Sequence, residues 1–180
     1  MPASSSGRHS IGRRCRTFEK AARGRIHVTP VVSVKAVRPR ILAAVRRQVA
    51  VGAVGSVWRP ALDLVWRFLR SRPGLRTDGH NVFLYHHPEN NGALLDGDFG
   101  VEVTRSFEAE GDVYATATPA GEAATVVHVG SYDHLSEAHA AIHAWAKDHG
   151  RTFAGQSWEI YGDWSDDESK LETTVEYLLR

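Results

Sequence analysis

A glutamate in an apolar stretch is the first residue whose surroundings suggest chemistry. Glu159 lies in the sequence SWEIY, which predicts a β-strand. Because side chains alternate along a strand, Glu159 should share one face with Ser157 and Tyr161. Trp158 and Ile160 should then take the other face. A carboxylate held among aromatic rings supplies a counter-charge for an apolar cation, whereas a glutamate on an ordinary strand is solvated.

A second carboxylate of interest is Glu102, on a strand predicted at 100–104. Two acids in one pocket can divide the roles of acid and base, because one stays protonated while the other accepts a proton. A glutamate on the solvent face of the strand explains the same pattern equally well. Glu102 is therefore a candidate partner of Glu159 only if the protein is a hydrolase.

The histidines raise the question of a metal site. His139 and His143 are four residues apart on a predicted helix, a spacing that metal sites use, but the sequence has no HExxH motif and no third ligand at a known spacing. By helical phase they lie beside the apolar face, which favours solvated histidines. His86 and His87, at a strand end, are likewise predicted to be surface residues. We predict no metal and no cofactor.

Two helices must position these residues. Both are predicted from apolar side chains at helical spacing, namely Leu62, Val65, Trp66 and Leu69 in the first and Leu135, Ala138, Ile142 and Trp145 in the second. Asp133 is a predicted N-cap of the second helix, and Gly150 is predicted just beyond its C-terminus. At this spacing Trp66 and Trp145 fit the core better than a pocket, although both are kept as candidate ligand contacts.

Alternating apolar residues and turn signals predict eight strands. They fall at residues 31–37, 41–49, 80–87, 99–104, 113–118, 123–129, 158–161 and 173–179. A turn cluster is predicted at 88–92 and a polar loop at 163–170. The order of elements indicates an α+β fold with an antiparallel sheet and two main helices.

The two halves of the chain repeat. The segment from Gly74 to Tyr85 aligns with the segment from Gly150 to Tyr161 at an offset of 76 residues. Each half then reads strand–helix–strand–strand, and the two modules should pair about a pseudo-twofold axis. The alignment places Phe83 at the position of Glu159, and Tyr85 at that of Tyr161. Near such an axis these four side chains would line one hollow.

Composition favours one domain preceded by a tail. The 180 residues include 42% hydrophobic residues, enough for a core. Up to Arg47 there are 12 basic residues and one acid, and beyond it 10 basic residues and 20 acids. We predict a disordered basic tail at 1–27 and a domain at 28–180; the tail could contact phosphates, form a solvated arm, or reflect a misplaced translation start. The single cysteine, Cys15, excludes an internal disulfide, no apolar run is long enough to span a membrane, and we expect a cytoplasmic protein.

An ordered series of motifs runs through the second half of the chain. It comprises the turn Pro119–Gly121, the stretch 128–135, the strand around Glu159, and Glu172–Thr174 before the last strand. The series resembles the effector-binding domain of the GyrI-like family, also found at the end of some multidrug-sensing regulators. The resemblance covers residues 31–180. Where the family commonly has an Asp-Pro turn, this chain has 162–164, Gly-Asp-Trp.

The resemblance implies a stand-alone binding protein for a hydrophobic, often cationic small molecule, such as a xenobiotic or antibiotic. The family's strand glutamate maps onto Glu159. Aromatic walls would come from the other candidate ligand contacts, which are Tyr161, Phe83, Tyr85, Tyr132, Trp66 and Trp145. No DNA-binding domain accompanies this sequence, so DNA binding is not expected.

Two alternatives stay open at this point. Some proteins of the family hydrolyse the strained cyclopropane of DNA-alkylating natural products, with a carboxylate activating water; Glu159 would be the principal residue and Glu102 its partner. Other members inhibit DNA gyrase, and the acidic domain would then act through surface contacts. Because its net charge is ordinary for a soluble domain, gyrase is the least favoured partner.

Overall fold

The computed structural model describes residues 30–50, 52–88 and 94–180, except for the side chain of Asp78. The predicted tail at 1–27 and nearly all of the turn cluster at 88–92 lie outside the described residues. Eight strands are present in the described part: β1 Ser33–Val37, β2 Ile41–Ala50, β3 Arg76–His86, β4 Leu94–Val103, β5 Tyr114–Ala117, β6 Gly121–Val129, β7 Phe153–Tyr161 and β8 Glu172–Leu179. The helices are α1 Trp58–Arg70 and α2 Leu135–Asp148.

The strands form one antiparallel sheet with internal pseudo-twofold symmetry. Its order is β1-β6-β8-β7-β3-β4-β2-β5. One module is β2–α1–β3–β4 and the other β6–α2–β7–β8, and they meet where β3 pairs with β7. In that pair Phe83 lies opposite Glu159. These two residues are 76 positions apart, so the axis passes between them, which confirms the predicted α+β architecture.

Short connections force the sheet to curl. β1 and β2 stand first and seventh in the sheet, six strand spacings apart, which would be about 29 Å in a flat sheet. The connection at 38–40 allows its flanking residues to separate by at most about 14 Å. The same argument holds for β5 and β6, which stand eighth and second and are joined by 118–120. Both ends of the sheet must therefore bend toward each other.

The two faces of the curled sheet carry different cores. On one face α1 buries Leu62, Val65 and Leu69, and α2 buries Ala138 and Ile142. On the other face a third cluster draws all its members from strands, including Leu42, Leu84 and Trp158, each at most 1% exposed. The curl encloses this cluster, and no helix of the described residues covers it. Burial between strands therefore provides its hydrophobic stabilisation.

Strand β4 is longer than predicted. It begins at Leu94 rather than at residue 99 and pairs with β2 along this extra length. The acidic residues in this stretch hide its strand character in the sequence. Asp98 is fully buried, and Arg46 donates two hydrogen bonds of 2.8 Å to its carboxylate. Polar pairing therefore replaces the apolar alternation on which the prediction relied.

The residue that caps the start of α2 differs from the predicted one, whereas the glycine predicted beyond its C-terminus is confirmed. Asp133 is not the N-cap, because a 3₁₀ turn at Tyr132–His134 precedes the helix, and Ser131 caps that turn. Gly150 follows the helix with φ of +62°, a conformation that glycine adopts at little cost. The Arg151 amide donates to the Ala146 carbonyl at 2.8 Å, which closes the helix end.

Candidate functional site

A cavity of about 860 Å³ lies on the helix-bearing face of the sheet, above the central strands β3 and β7. Five of the residues predicted as ligand contacts line it, namely Glu159, Tyr161, Phe83, Tyr85 and Tyr132. Strand alternation accounts for the first four, since odd-numbered residues of β3 and β7 point to this face. The module repeat brings them together because β3 and β7 are equivalent strands.

Glu159 is buried at the base of the cavity, with 6% of its surface exposed. One carboxylate oxygen, Oε2, accepts hydrogen bonds from the Tyr161 hydroxyl at 2.6 Å and the Tyr85 hydroxyl at 3.0 Å. The other, Oε1, lies 3.0 Å from Nε2 of His139. These contacts give both carboxylate oxygens hydrogen-bond partners and offset part of the cost of removing the group from water.

The two tyrosines that hold Glu159 remain hydroxyl donors. Burial and the nearby negative charge of Glu159 raise the pKa of Tyr85 and of Tyr161 well above the ordinary value. Neither phenol therefore ionises near neutral pH. Because the repeat relates Tyr85 to Tyr161, the same side chain reaches the carboxylate from each side of the axis.

Aromatic rings form an apolar wall next to the carboxylate. Phe83 is the centre of this group, with ring centroids 4.7 Å from Tyr161 and 6.0 Å from Trp58. Tyr132 packs edge-on against Tyr161 at 5.5 Å. Trp58, at the first residue of α1, also lines the cavity. Such a wall suits aromatic or cationic groups, since ring faces attract both.

Three histidines form a second wall that the sequence interpretation missed. His139, His143 and His87 all line the cavity. His139 is not solvated as predicted: its side chain is 25% exposed, and Nδ1 lies 3.0 Å from the Tyr177 hydroxyl. His87 is also half-buried rather than at the surface, with Nε2 2.7 Å from the Ser157 hydroxyl.

Two of these three histidines, His87 and His143, have lowered pKa values and are therefore uncharged at neutral pH. Burial lowers the pKa of His87, and the neighbouring His143 and His139 lower it further. Burial and His139 lower the pKa of His143 in the same way. Neutral imidazoles offer both a donor and an acceptor nitrogen to a ligand.

Glu102 does not lie near Glu159. It is on the opposite face of the sheet, because β4 points Val101 and Val103 toward α1 and the residue between them away from it. There the Arg40 guanidinium donates to the Glu102 carboxylate at 2.7 Å. The structure therefore separates the two carboxylates that the hydrolase hypothesis combined.

Trp66 and Trp145 are not among the lining residues of the cavity. Trp66 packs against the core beneath α1, with the guanidinium of Arg76 5.6 Å from its ring centre. Trp145 packs against the core beneath α2 and stacks on His149 at 4.8 Å. Both belong to the apolar stripes of their helices, which point into the module cores and not toward the axis.

The rim of the cavity carries an exposed tryptophan. Trp164 lines the opening although 75% of its surface is exposed. It lies in the loop that follows β7, three residues after Tyr161. Gly52 and Gly55, between β2 and α1, also line the cavity.

The described residues contain no group of three or more histidine, cysteine, aspartate or glutamate side chains suited to a metal ion. Over the same part of the chain, no helix is long and apolar enough to cross a membrane. The described side chains that line the cavity offer a buried carboxylate, hydroxyls, imidazoles and aromatic rings.

A concave cavity lined by rings and a few polar groups is typical of the class of proteins that bind small organic molecules. The match to family models agrees with this class. The chain belongs to the GyrI-like small molecule binding domain family, whose model matches residues 31–180. A search of the curated proteins finds no match.

Solved structures share the fold. The EcmrR C-terminal domain is similar with a TM-score of 0.70 and 23% identity, covering 85% of this chain and 99% of that one. SAV2435 bound to tetraphenylphosphonium has a TM-score of 0.63 and 9% identity, over 83% and 94% of the two chains. A hydrolase from Listeria innocua has a TM-score of 0.53 and 12% identity, over 83% and 91%. At these identities the likeness concerns the fold alone.

Proposed function

We propose that this protein binds a hydrophobic, cationic small molecule in the cavity above β3 and β7. One observation carries the proposal: Glu159 is 6% exposed at the base of a cavity of about 860 Å³. A carboxylate in such a place costs free energy unless something compensates its charge. A ligand cation would complete the compensation that the hydrogen bonds from Tyr85 and Tyr161 begin.

The charges around the cavity support a cationic ligand. Glu159 is the only lysine, arginine, aspartate or glutamate among the described lining residues. Rings of Phe83, Tyr161 and Trp58 provide apolar contact area beside this charge. Aromatic faces attract organic cations, and more strongly where water is excluded. SAV2435, which shares the fold, binds the lipophilic cation tetraphenylphosphonium.

The carboxylate proposal can be tested with tetraphenylphosphonium and a neutral aryl compound, triphenylphosphine oxide. Glu159→Gln keeps the shape and an acceptor oxygen but removes the charge. We expect cation affinity to fall about tenfold or more, since close charge pairs are coupled by more than about 1.4 kcal/mol. Affinity for the neutral compound should change less than twofold. Isothermal titration calorimetry measures both.

Glu102→Gln is the matched control for this experiment. It removes a carboxylate from the opposite face of the sheet, where Arg40 pairs with it. Both affinities should stay within twofold of wild type. If Glu159→Gln weakens the cation and the neutral compound by the same factor, Glu159 does not supply the counter-charge.

A second candidate function is hydrolysis of a cyclopropane-bearing DNA alkylator. The observation that favours it is the set of hydrogen bonds joining Glu159 to His139, Tyr85 and Tyr161. Glu159 would take a proton from water while the oxygen of that water bonds to a cyclopropane carbon. The ring C–C bond breaks, its electron pair moves to a conjugated carbonyl oxygen, and a tyrosine or water protonates that oxygen.

Mass spectrometry separates catalysis from binding. Incubation of the protein with such an alkylator should yield a product heavier by one water molecule. Glu159→Ala should lower the rate about a hundredfold or more, as loss of a general base commonly does. Glu102→Ala should leave the rate within twofold, because its side chain faces the other side of the sheet. An unchanged rate in Glu159→Ala would exclude this mechanism.

A further inference from the structure

We propose that His139 determines which ligand charge the cavity accepts: neutral His139 leaves the charge of Glu159 for a cation, and protonated His139 cancels it. This inference rests on the proposed binding of cations. It assigns the selection of ligand charge to His139, a residue of α2, in addition to Glu159 on β7. Protonation of His139 would therefore release a bound cation from the cavity.

The contacts of Glu159 single out His139. The carboxylate has three hydrogen-bond partners in the described residues, the hydroxyls of Tyr85 and Tyr161 and Nε2 of His139. The two phenols stay protonated, since burial and Glu159 raise the pKa of each. Histidine is the side chain whose charge ordinarily changes between pH 5 and 8. Of the three partners, His139 is therefore the one whose gain of a proton would change the net charge beside Glu159.

His139 lies close enough to Glu159 for a charge on its ring to offset that of the carboxylate. Nε2 lies 3.0 Å from Oε1 of Glu159, and Nδ1 lies 3.0 Å from the Tyr177 hydroxyl. Both ring nitrogens thus have a partner in either protonation state, because the tyrosine hydroxyl can donate to or accept from Nδ1. Protonation requires no rotation of the ring, and it converts an anionic site into a neutral ion pair.

Several other titratable groups line the cavity around His139. They are Glu159 and Tyr161 on β7, Tyr85 and the following His87 from β3, Tyr177 on β8, His143 on α2 and Tyr132 in the preceding turn. Burial raises the pKa of Tyr132, and burial with Glu159 raises that of Tyr177 to about 12. Because the pKa values of His87 and His143 are lowered, these histidines stay neutral when an ordinary histidine begins to titrate.

A bound cation and a protonated His139 compete for the same carboxylate. Thermodynamic linkage makes this competition reciprocal: acid weakens the cation, and the cation opposes protonation. Coupling between two such binding events typically changes an affinity by a factor of about 5–150. Cation affinity should therefore fall at least about fivefold between pH 8 and pH 5.5. A neutral ligand should be almost indifferent to pH.

The experiment uses tetraphenylphosphonium, whose charge is independent of pH, and triphenylphosphine oxide as the neutral probe. Calorimetric titrations of the full chain are run at pH 8, 7 and 5.5 at constant ionic strength, with circular dichroism confirming the fold at each pH. In wild type the cation should lose at least about fivefold in affinity toward pH 5.5, and the neutral probe less than twofold. His139→Gln keeps an N–H near Glu159 without a titrating ring, and should abolish the loss.

Two further histidine variants test the assignment to His139. His149→Gln changes a histidine that stacks on Trp145 away from the cavity, and should keep the wild-type pH dependence. His143→Gln changes a cavity histidine without a hydrogen bond to Glu159, and should keep it as well. A pH dependence that survives in His139→Gln, or disappears in His143→Gln, overturns the inference.

The failure of this inference is distinguishable from failure of the proposed function. If tetraphenylphosphonium binds wild type equally well at pH 8 and pH 5.5, the role of His139 is wrong while cation binding stands. If it binds at neither pH, the proposed function falls and the inference falls with it.

Discussion

The two modules share a backbone plan but give the cavity opposite walls. Phe83 and Glu159 occupy equivalent positions and face each other across the central strand pair. The first module contributes the apolar rings of Trp58 and Phe83 next to a single histidine, His87. The second module contributes the carboxylate and two histidines, His139 and His143. Only the tyrosines, Tyr85 and Tyr161, are the same on both sides. A repeated architecture can thus supply one asymmetric pocket, because function depends on a few side chains near the axis.

The largest expected effect comes from making the two walls alike. Phe83→Glu would place a second carboxylate opposite Glu159 at a position that is 4% exposed. It removes the central ring and adds a buried like charge, so we expect a loss of about 3–5 kcal/mol in the free energy of unfolding, or failure to fold. Urea denaturation measures this loss through the transition midpoint.

Phe83→Leu is the matched variant at the same position. It keeps an apolar side chain, and we expect it to cost about 1–2 kcal/mol through lost contacts. If Phe83→Glu is no more destabilising than Phe83→Leu, the axis tolerates two carboxylates, and the asymmetry of the walls has no structural cause.

A smaller effect concerns the histidines of the second wall. His87 and His143 have lowered pKa values in the folded protein, so the unfolded chain binds more protons below the ordinary histidine pKa of about 6.5. Stability should therefore fall as pH drops below about 6.5 and level off once the folded-state groups are protonated too. Urea midpoints between pH 8 and pH 5 check the sign.

A double variant, His87→Gln with His143→Gln, should flatten this pH dependence. His149→Gln, outside the cavity, should leave the slope in place. A wild-type midpoint that rises as pH falls toward 5 would contradict the lowered pKa values, and with them the neutral state of the histidine wall at pH 7.

Much of the site was predictable because it depends on strand geometry. Alternation in SWEIY placed Glu159 and Tyr161 on one face, and the 76-residue repeat placed Phe83 opposite the glutamate. The position of Glu102 relative to the cavity could not be predicted from strand alternation alone. Because side chains alternate along β4, Glu102 points to the face opposite Val101 and Val103. Only the position of α1 shows that the cavity lies on the face of the two valines, and not on that of Glu102.

The helix contributions were harder to predict. Helical phase puts His139 and His143 beside the apolar stripe of α2, and such flanking positions can meet either solvent or a cavity. The position of α2 relative to β7 decides between these outcomes, and it depends on tertiary packing. Trp66 and Trp145 show the converse, since their large rings suggested ligand contacts while their helices direct them into separate cores.

The curl of the sheet has a consequence for how the two modules hold together. β1 precedes the first module yet pairs with β6 of the second, and β5 precedes the second yet pairs with β2 of the first. Each half therefore lends its leading strand to the other, as in a domain-swapped dimer contained within one chain. Separating the halves would therefore break three strand pairs, namely β1 with β6, β2 with β5 and β3 with β7, and not the central pair alone.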